Sequence, residues 1–203
     1  MRLFVAVDLP DEAKQAIGVH QKRIAGTLSK SEERLKLVDA ARMHLTLLFL
    51  GEVQDARVPA IVESMNVPAD IAPFDMAFGG VGVFPTRGPA RVLWIGVTEG
   101  AELLARLQND LAERIRDLDI DFDDRPFHPH LTIGRWREAS RRRPSETWRR
   151  LPERLRREAA ALDRARRVAC MRVTRATLYQ SRLSASGPAY TALAHANLLD
   201  KNL

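Results

Sequence analysis

The chain has 203 residues, of which 45% are hydrophobic and 29% are charged. This composition excludes a disordered chain and is typical of one large domain or two small lobes. The single cysteine, Cys170, excludes an internal disulfide and a multi-thiolate zinc site, which favours a reducing compartment. The longest near-continuous apolar run, 45–50, is far shorter than the roughly 18 residues that a membrane span needs. We therefore expect a cytoplasmic protein without a membrane partner.

Positive charge is concentrated in one segment of the chain. The net charge is +6, and residues 135–167 contain 13 arginines, no lysine and 5 acidic residues. A concentrated basic block suggests an anionic partner, of which nucleic acid is the commonest. The alternative is a solvated helix whose acidic residues pair locally with the arginines.

Hydrophobic patterning predicts strands and helices that alternate along the chain. The predicted strands are 1–10, 44–50, 71–83, 91–97, 130–136, 171–181 and 189–196. The predicted helices are 11–28, 55–65, 101–118 and a further helix in the basic block after Pro144. Residues 29–42 are polar and show no clear pattern, and 117–124 reads as a loop. The absence of a glycine-rich phosphate loop favours an α+β or mixed α/β arrangement.

One four-residue motif occurs twice. The residues His44-Leu45-Thr46-Leu47 recur as His130-Leu131-Thr132-Ile133, and both copies fall on predicted strands. Successive side chains of a strand point to opposite faces, so each histidine shares a face with its threonine. Two related lobes that face each other would bring these four polar side chains together across a cleft.

Two histidines and two threonines suit the cleavage of a phosphodiester without a metal. One imidazole accepts a proton from the attacking oxygen and the other protonates the leaving oxygen, because the ordinary pKa of histidine lies near neutrality. The threonine hydroxyls can donate to the phosphate oxygens, where charge develops in the transition state.

Two less specific interpretations of the histidines stay open at this point. A single histidine on an apolar strand is usually a packed core residue, and we assign that role to His20 on the first helix. A zinc site could use His44, His128 and His130, although Pro129 interrupts the strand and no carboxylate completes the ligand set. We expect His128 to be mainly a loop residue.

At these residues the sequence resembles the 2H phosphoesterases, in particular the bacterial and archaeal RNA 2′,3′-cyclic phosphodiesterase family, historically called 2′-5′ RNA ligases. The resemblance extends along most of the chain. It rests on an ordered series of segments: RLFVAVDLP, MHLTLLFLGEV, GVFPTRGPARVLW, RPFHPHLTIGR, ATLYQSRL and GPAY.

The resemblance implies a single bilobal α+β domain over residues 1–203, with pseudo-two-fold symmetry and a motif in each lobe. Antiparallel-rich sheets would surround a positive central cleft, with helices on the outer faces. The implied reaction is hydrolysis of an RNA 2′,3′-cyclic phosphate to a 2′-phosphomonoester without cofactor or metal, with weak reversible ligation in some members. His44 and His130 would be catalytic, as acid and base respectively, and Thr46 and Thr132 would bind the phosphate.

Further residues are candidates for contacts with RNA. Arg87 and Arg91, in and after the proline-rich loop, could meet phosphates, and Phe84 and Tyr179 could stack on a base, although loop exposure and core packing are the alternatives. Strand alternation from His130 sends Arg135 to the opposite face, which predicts a surface contact or a contact between elements and not a phosphate ligand.

The expected partner is RNA with 2′,3′-cyclic phosphate ends, for example tRNA fragments, and no obligate protein partner is evident. One rival function is a non-catalytic module that binds RNA ends through the same cleft and the arginine block. Another is a phosphodiesterase that acts on a cyclic nucleotide or another small cyclic phosphodiester.

Overall fold

The computed structural model describes residues 1–27, 35–86, 90–136, 167–184 and 187–199. Strands and helices alternate within these ranges, and the predicted α+β class is confirmed. The elements are β1 Arg2–Asp8, α1 Asp11–Thr27, β2 Leu35–Leu37, β3 His44–Glu52, α2 Val58–Asn66, β4 Phe74–Phe84, β5 Val92–Glu99, α3 Ala101–Asp117, β6 His130–Trp136, β7 Ala169–Val173, β8 Arg175–Ser184 and β9 Gly187–Asn197. The predicted helix in the basic block lies outside the described residues.

The strands form two antiparallel sheets, each with one copy of the motif. The first sheet has the order β3-β1-β8-β9, and the second has the order β2-β6-β5-β4-β7. The motif strands β3 and β6 contact each other although they belong to different sheets. This contact places the two motifs at the junction of the sheets.

The helices cover the apolar faces of the sheets. Leu104, Leu107, Leu111 and Ile115 of α3 are fully buried. This helix packs on β3 of the first sheet although it follows β5 of the second. Conversely, α1 follows β1 of the first sheet and reaches the second, where the Gln21 amide donates to the Ile133 carbonyl at 2.6 Å. Each sheet therefore has one face under helices and another that is available for the motif side chains. None of the helices within the described ranges is long and apolar enough to cross a membrane.

Two segments differ from the prediction. The single strand expected over 171–181 is two strands, β7 in the second sheet and β8 in the first, with Thr174 between them. The unpatterned region 29–42 contains the short strand β2, which pairs with β6. A three-residue strand depends on such pairing more than on its own β propensity, so local pattern does not reveal it.

Candidate active site

The two motif strands alternate as predicted over their first four residues. His44 and Thr46 are half-buried, whereas Leu45 and Leu47 are buried in the core. The second motif has the same pattern, with half-buried His130 and Thr132 and a buried Leu131 and Ile133. The polar pair of each strand therefore faces away from the helices.

Both motif histidines are held in the same way by the backbone two residues earlier. The Nδ1 atom of His44 lies 2.8 Å from the Arg42 carbonyl, and that of His130 lies 2.7 Å from the His128 carbonyl. A carbonyl oxygen only accepts, so Nδ1 carries the hydrogen in both rings. This tautomer leaves each Nε2 available to accept or donate a proton toward a ligand.

A β-bulge follows the threonine in each motif strand. Leu47 has no partner on β1, and Ile133 has none on β5, because the register shifts at these points. An extra residue reverses the alternation of faces beyond the bulge. Phe49 and Arg135 are accordingly exposed, between buried neighbours, and share the face of the motif histidines. The prediction that Arg135 points to the opposite face is therefore wrong.

The charge of Arg135 links the two motifs electrostatically. It lowers the pKa of both His44 and His130, and it also acts on Tyr190 of β9. One guanidinium within electrostatic reach of both imidazoles indicates that the two motif strands face a common cleft.

His44 lies in an aromatic surrounding with one carboxylate nearby. Its ring centroid is 4.9 Å from that of Phe4 and 5.0 Å from that of Tyr190, which meets it edge-on. Burial lowers the pKa of His44, whereas the hydrogen bond to the Arg42 carbonyl and the charge of Asp8 raise it. Asp8 is the cross-strand neighbour of His44 on β1.

Hydroxyl groups of β8 hold the Asp8 carboxylate. The Tyr179 hydroxyl donates to Oδ1 at 2.5 Å and the Thr177 hydroxyl donates to Oδ2 at 2.7 Å. Thr177 also lies 3.0 Å from Nδ1 of His195 on β9. Burial, together with the bond to Asp8, raises the pKa of Tyr179, so its hydroxyl stays protonated as a donor.

His130 has aromatic neighbours but no carboxylate in the corresponding place. Phe84 meets it edge-on at a centroid distance of 5.0 Å, and Trp94 lies 6.3 Å away. Burial lowers the pKa of His130, the hydrogen bond to the His128 carbonyl raises it, and the charges of His128 and Arg135 lower it. Its cross-strand neighbour on β5 is Gly96.

The other predicted RNA contacts fall in different places. Tyr179 is half-buried and stacks on Phe4, which in turn lies against His44. Phe84 is half-buried and meets His130 edge-on. Arg91 is exposed and its carbonyl accepts from the Trp136 amide, at the end of β6 opposite His130. Arg87 lies outside the described residues.

A pocket of about 400 Å³ opens beside His44. Its lining includes Asp8, Lys14, Arg42, Tyr179 and Tyr190, which come from four separate stretches of the chain. Lys14, Arg42 and Tyr190 were not among the site residues predicted from the sequence. Tyr190 belongs to the segment GPAY, which contributed to the family resemblance and was the one available signal.

The zinc alternative finds no support in the described part of the chain, which contains no group of three or more His, Cys, Asp or Glu side chains placed to hold a metal ion. His128 is an exposed residue of the loop before β6, as expected. His20 is half-buried on α1, and burial lowers its pKa.

Known proteins are similar to this chain in both sequence and fold. A family model for the 2′-5′ RNA ligase superfamily matches residues 9–184. An RNA 2′,3′-cyclic phosphodiesterase of Archaeoglobus fulgidus is 40% identical over 135 residues, which cover 66% of this chain and 72% of the relative. Another, from Methanothermobacter thermautotrophicus, is 32% identical over 201 residues, or 94% of this chain and 95% of the relative.

The crystal structure of E. coli LigT complexed with 3′-AMP superposes with a TM-score of 0.70 at 27% identity and covers 98% of both chains. The match by the family model includes both motif strands, all five strands of the second sheet, and β3 and β8 of the first sheet. The chain therefore belongs to the 2′-5′ RNA ligase superfamily.

Proposed function

We propose that this protein is an RNA 2′,3′-cyclic phosphodiesterase that hydrolyses cyclic phosphate ends to 2′-phosphomonoesters, with His44 and His130 as its catalytic pair. The observation that carries this proposal is the equivalent anchoring of the two imidazoles, each with Nδ1 on a carbonyl and Nε2 available. The curated relatives bear the same activity in their names.

In the proposed step, a water oxygen forms a bond to phosphorus as the bond from phosphorus to the ribose 3′-oxygen breaks. His130 accepts the water proton at Nε2, and the His44 imidazolium gives its Nε2 proton to the 3′-oxygen. Thr46 and Thr132 donate to the non-bridging oxygens, where negative charge grows. The product carries a 2′-phosphate and a free 3′-hydroxyl.

The surroundings of the two histidines support this division of roles. Burial lowers the pKa of His44 overall. Asp8 faces His44 across the strands, and its charge opposes this decrease and favours the protonated form that a general acid requires. His130 has Gly96 in the equivalent place. Burial, as the largest influence, and the charge of Arg135 lower the pKa of His130 and favour its neutral form, as a general base requires.

Arginine and lysine side chains supply positive charge for an anionic substrate. Arg135 lies on the cleft face, and Lys36 of β2 is its exposed cross-strand neighbour. Arg135 is therefore our candidate for the cation that neutralises the phosphate during cleavage.

The proposal extends to three points that follow from the resemblance. We take residues 1–203 as one domain with two pseudo-symmetric lobes, tRNA fragments as a suitable RNA substrate, and weak reversible 2′-5′ ligation as a side reaction. The cytoplasmic location stays a prediction from the sequence.

The test is incubation with an oligoribonucleotide that ends in a 2′,3′-cyclic phosphate, in excess EDTA, with the position of the product phosphate assigned by NMR. We expect a 2′-phosphate at an undiminished rate. No turnover, or turnover that EDTA abolishes, would contradict the proposal. Salt-sensitive binding without turnover would instead favour the RNA-end binding module.

A further inference from the structure

The pocket beside His44 is lined by residues from only one side of the cleft. Its lining residues belong to β1, α1, the turn before β3, β3 itself, β8 and β9. The second sheet contributes none of them, and His130 is not part of the wall. A ligand group in this pocket would therefore lie on the His44 side of the phosphorus and away from His130.

Two cations and one carboxylate line the pocket. Lys14 pairs with Asp11 at 3.5 Å, but Asp11 is 86% exposed, and a surface pair of this kind is weak enough for a phosphate to compete. Both oxygens of Asp8 accept hydrogen bonds from Tyr179 and Thr177, which disperses its charge.

The second cation is Arg42, whose guanidinium reaches the start of β9. A Cβ atom on Gly187, whose φ is +110°, would collide with the Arg42 guanidinium. Glycine at this position therefore allows Arg42 to lie against the start of β9, next to Pro188 and Tyr190 of the lining.

The aromatic wall lies in a positive field. Tyr179 and Tyr190 have ring centroids 6.3 Å apart, and the charges of Arg135, Arg42 and Arg2 all oppose the increase that burial causes in the pKa of Tyr190. Positive charge beside aromatic rings is the combination that binds a nucleotide, with the phosphate on the cations and the base or ribose on the rings.

The proposed roles of the histidines determine which part of the substrate enters this pocket. If His44 protonates the 3′-oxygen of the terminal ribose, that ribose lies on the His44 side of the phosphorus. The 5′-oxygen belongs to the same ribose, and in an RNA chain it carries the phosphodiester to the preceding nucleotide. A substrate bound in this way presents an anionic group on the side where Lys14 and Arg42 lie.

We propose that this pocket binds the phosphate on the 5′-oxygen of the terminal nucleoside, through Lys14 and Arg42, and so selects RNA ends over free nucleoside cyclic phosphates. This inference rests on the proposed function, because it uses the orientation of the ribose at His44. It adds a subsite whose two cations, Lys14 and Arg42, lie outside the two motifs.

The experiment compares two substrates that differ by a single phosphate: adenosine 2′,3′-cyclic phosphate with and without a 5′-phosphate. For the wild type, kcat/KM is expected to be higher for the 5′-phosphorylated substrate. In Lys14→Gln and in Arg42→Gln the ratio of the two kcat/KM values should fall about tenfold, the value of one charge-assisted hydrogen bond. With an oligonucleotide substrate, each change should also reduce the slope of log KM against log salt by about 0.7.

The matched control is Lys22→Gln, since Lys22 is exposed on the same helix and does not line the pocket. It should leave the ratio of the two kcat/KM values and the salt slope unchanged. A wild type that hydrolyses both substrates equally well, or a ratio that neither pocket substitution alters, would overturn the subsite and leave the proposed function intact. A wild type that cleaves the cyclic-phosphate oligonucleotide but hydrolyses neither mononucleotide would overturn the subsite alone, and a wild type that fails on the oligonucleotide as well would overturn the proposed function.

Discussion

The two motif strands, β3 and β6, have the same local structure but different electrostatic surroundings. Each has a histidine anchored through Nδ1, a threonine on the same face and a bulge after it. The residues beyond the bulge differ, with Phe49 on one strand and Arg135 on the other, and so do the cross-strand neighbours, Asp8 and Gly96. The shared histidine, threonine and bulge suit both strands to proton transfer. The different neighbours favour opposite directions of transfer at the two histidines.

The largest expected effect comes from removing the imidazoles, which tests what the strands share. His44→Ala and His130→Ala should each reduce kcat by about 10²- to 10⁴-fold, because each removes one proton-transfer group. The rate is measured with the cyclic-phosphate oligonucleotide, and His20→Ala is the control. If either variant kept more than about a tenth of the activity, that histidine would not be catalytic.

Substitution of the threonines tests whether the two motif strands have equivalent roles in phosphate binding. Thr46→Val and Thr132→Val keep the side-chain shape and remove one hydroxyl donor each, so we expect a loss of about 10²-fold in kcat from either change. Steady-state kinetics on the same substrate measures it. A strong effect from one threonine and none from the other would mean that the two strands do not hold the phosphate symmetrically.

Substitution of Arg135 addresses the residue by which the strands differ. Arg135→Gln should reduce kcat/KM about tenfold through loss of a charge-assisted contact to phosphate. Because the Arg135 charge lowers the pKa of both histidines, both limbs of the pH profile should also move to higher pH. Arg106→Gln, on the exposed side of α3, is the control, and an equal effect from it would indicate a general loss of positive charge.

The smallest expected effect is a change in the pH profile when Asp8 is neutralised. The charge of Asp8 raises the pKa of His44, so in Asp8→Asn that pKa falls and the acid loses its proton at lower pH. Activity on the alkaline side should therefore decline earlier, while the acidic limb, set by His130, stays in place. Arg135, Lys14, Arg42 and Tyr190 also lie near His44, but the substitution does not change their charges.

Asp75→Asn, an exposed carboxyl on β4, is the control for the pH profile. If the acidic limb moved instead of the alkaline limb, the roles of the two histidines would have to be exchanged. If neither limb moved, the asymmetry between Asp8 and Gly96 would have no part in catalysis.

Local sequence pattern was sufficient for the motif strands but not for their surroundings. The alternation of side chains along a strand correctly predicted that His44 shares a face with Thr46 and His130 with Thr132. This prediction spans only two positions, and both lie before the bulge in each strand. The alternation misplaced Arg135 because no local signal marks the bulge at Ile133, where the register of β6 against β5 shifts. The same limit applies to Thr174, where the chain leaves one sheet and enters the other.

The sequence by itself determined the α+β class, the repeated motif, the family and the chemistry that two imidazoles and two hydroxyls can perform. Those properties depend on residue identity and short-range spacing. Only the tertiary structure decided which side chains surround each imidazole, because Asp8, Lys14, Arg42, Tyr179 and Tyr190 meet through strand pairing and packing between distant segments. Electrostatic and steric interactions act through space, so the difference between the two motifs emerges only after the sheets have formed.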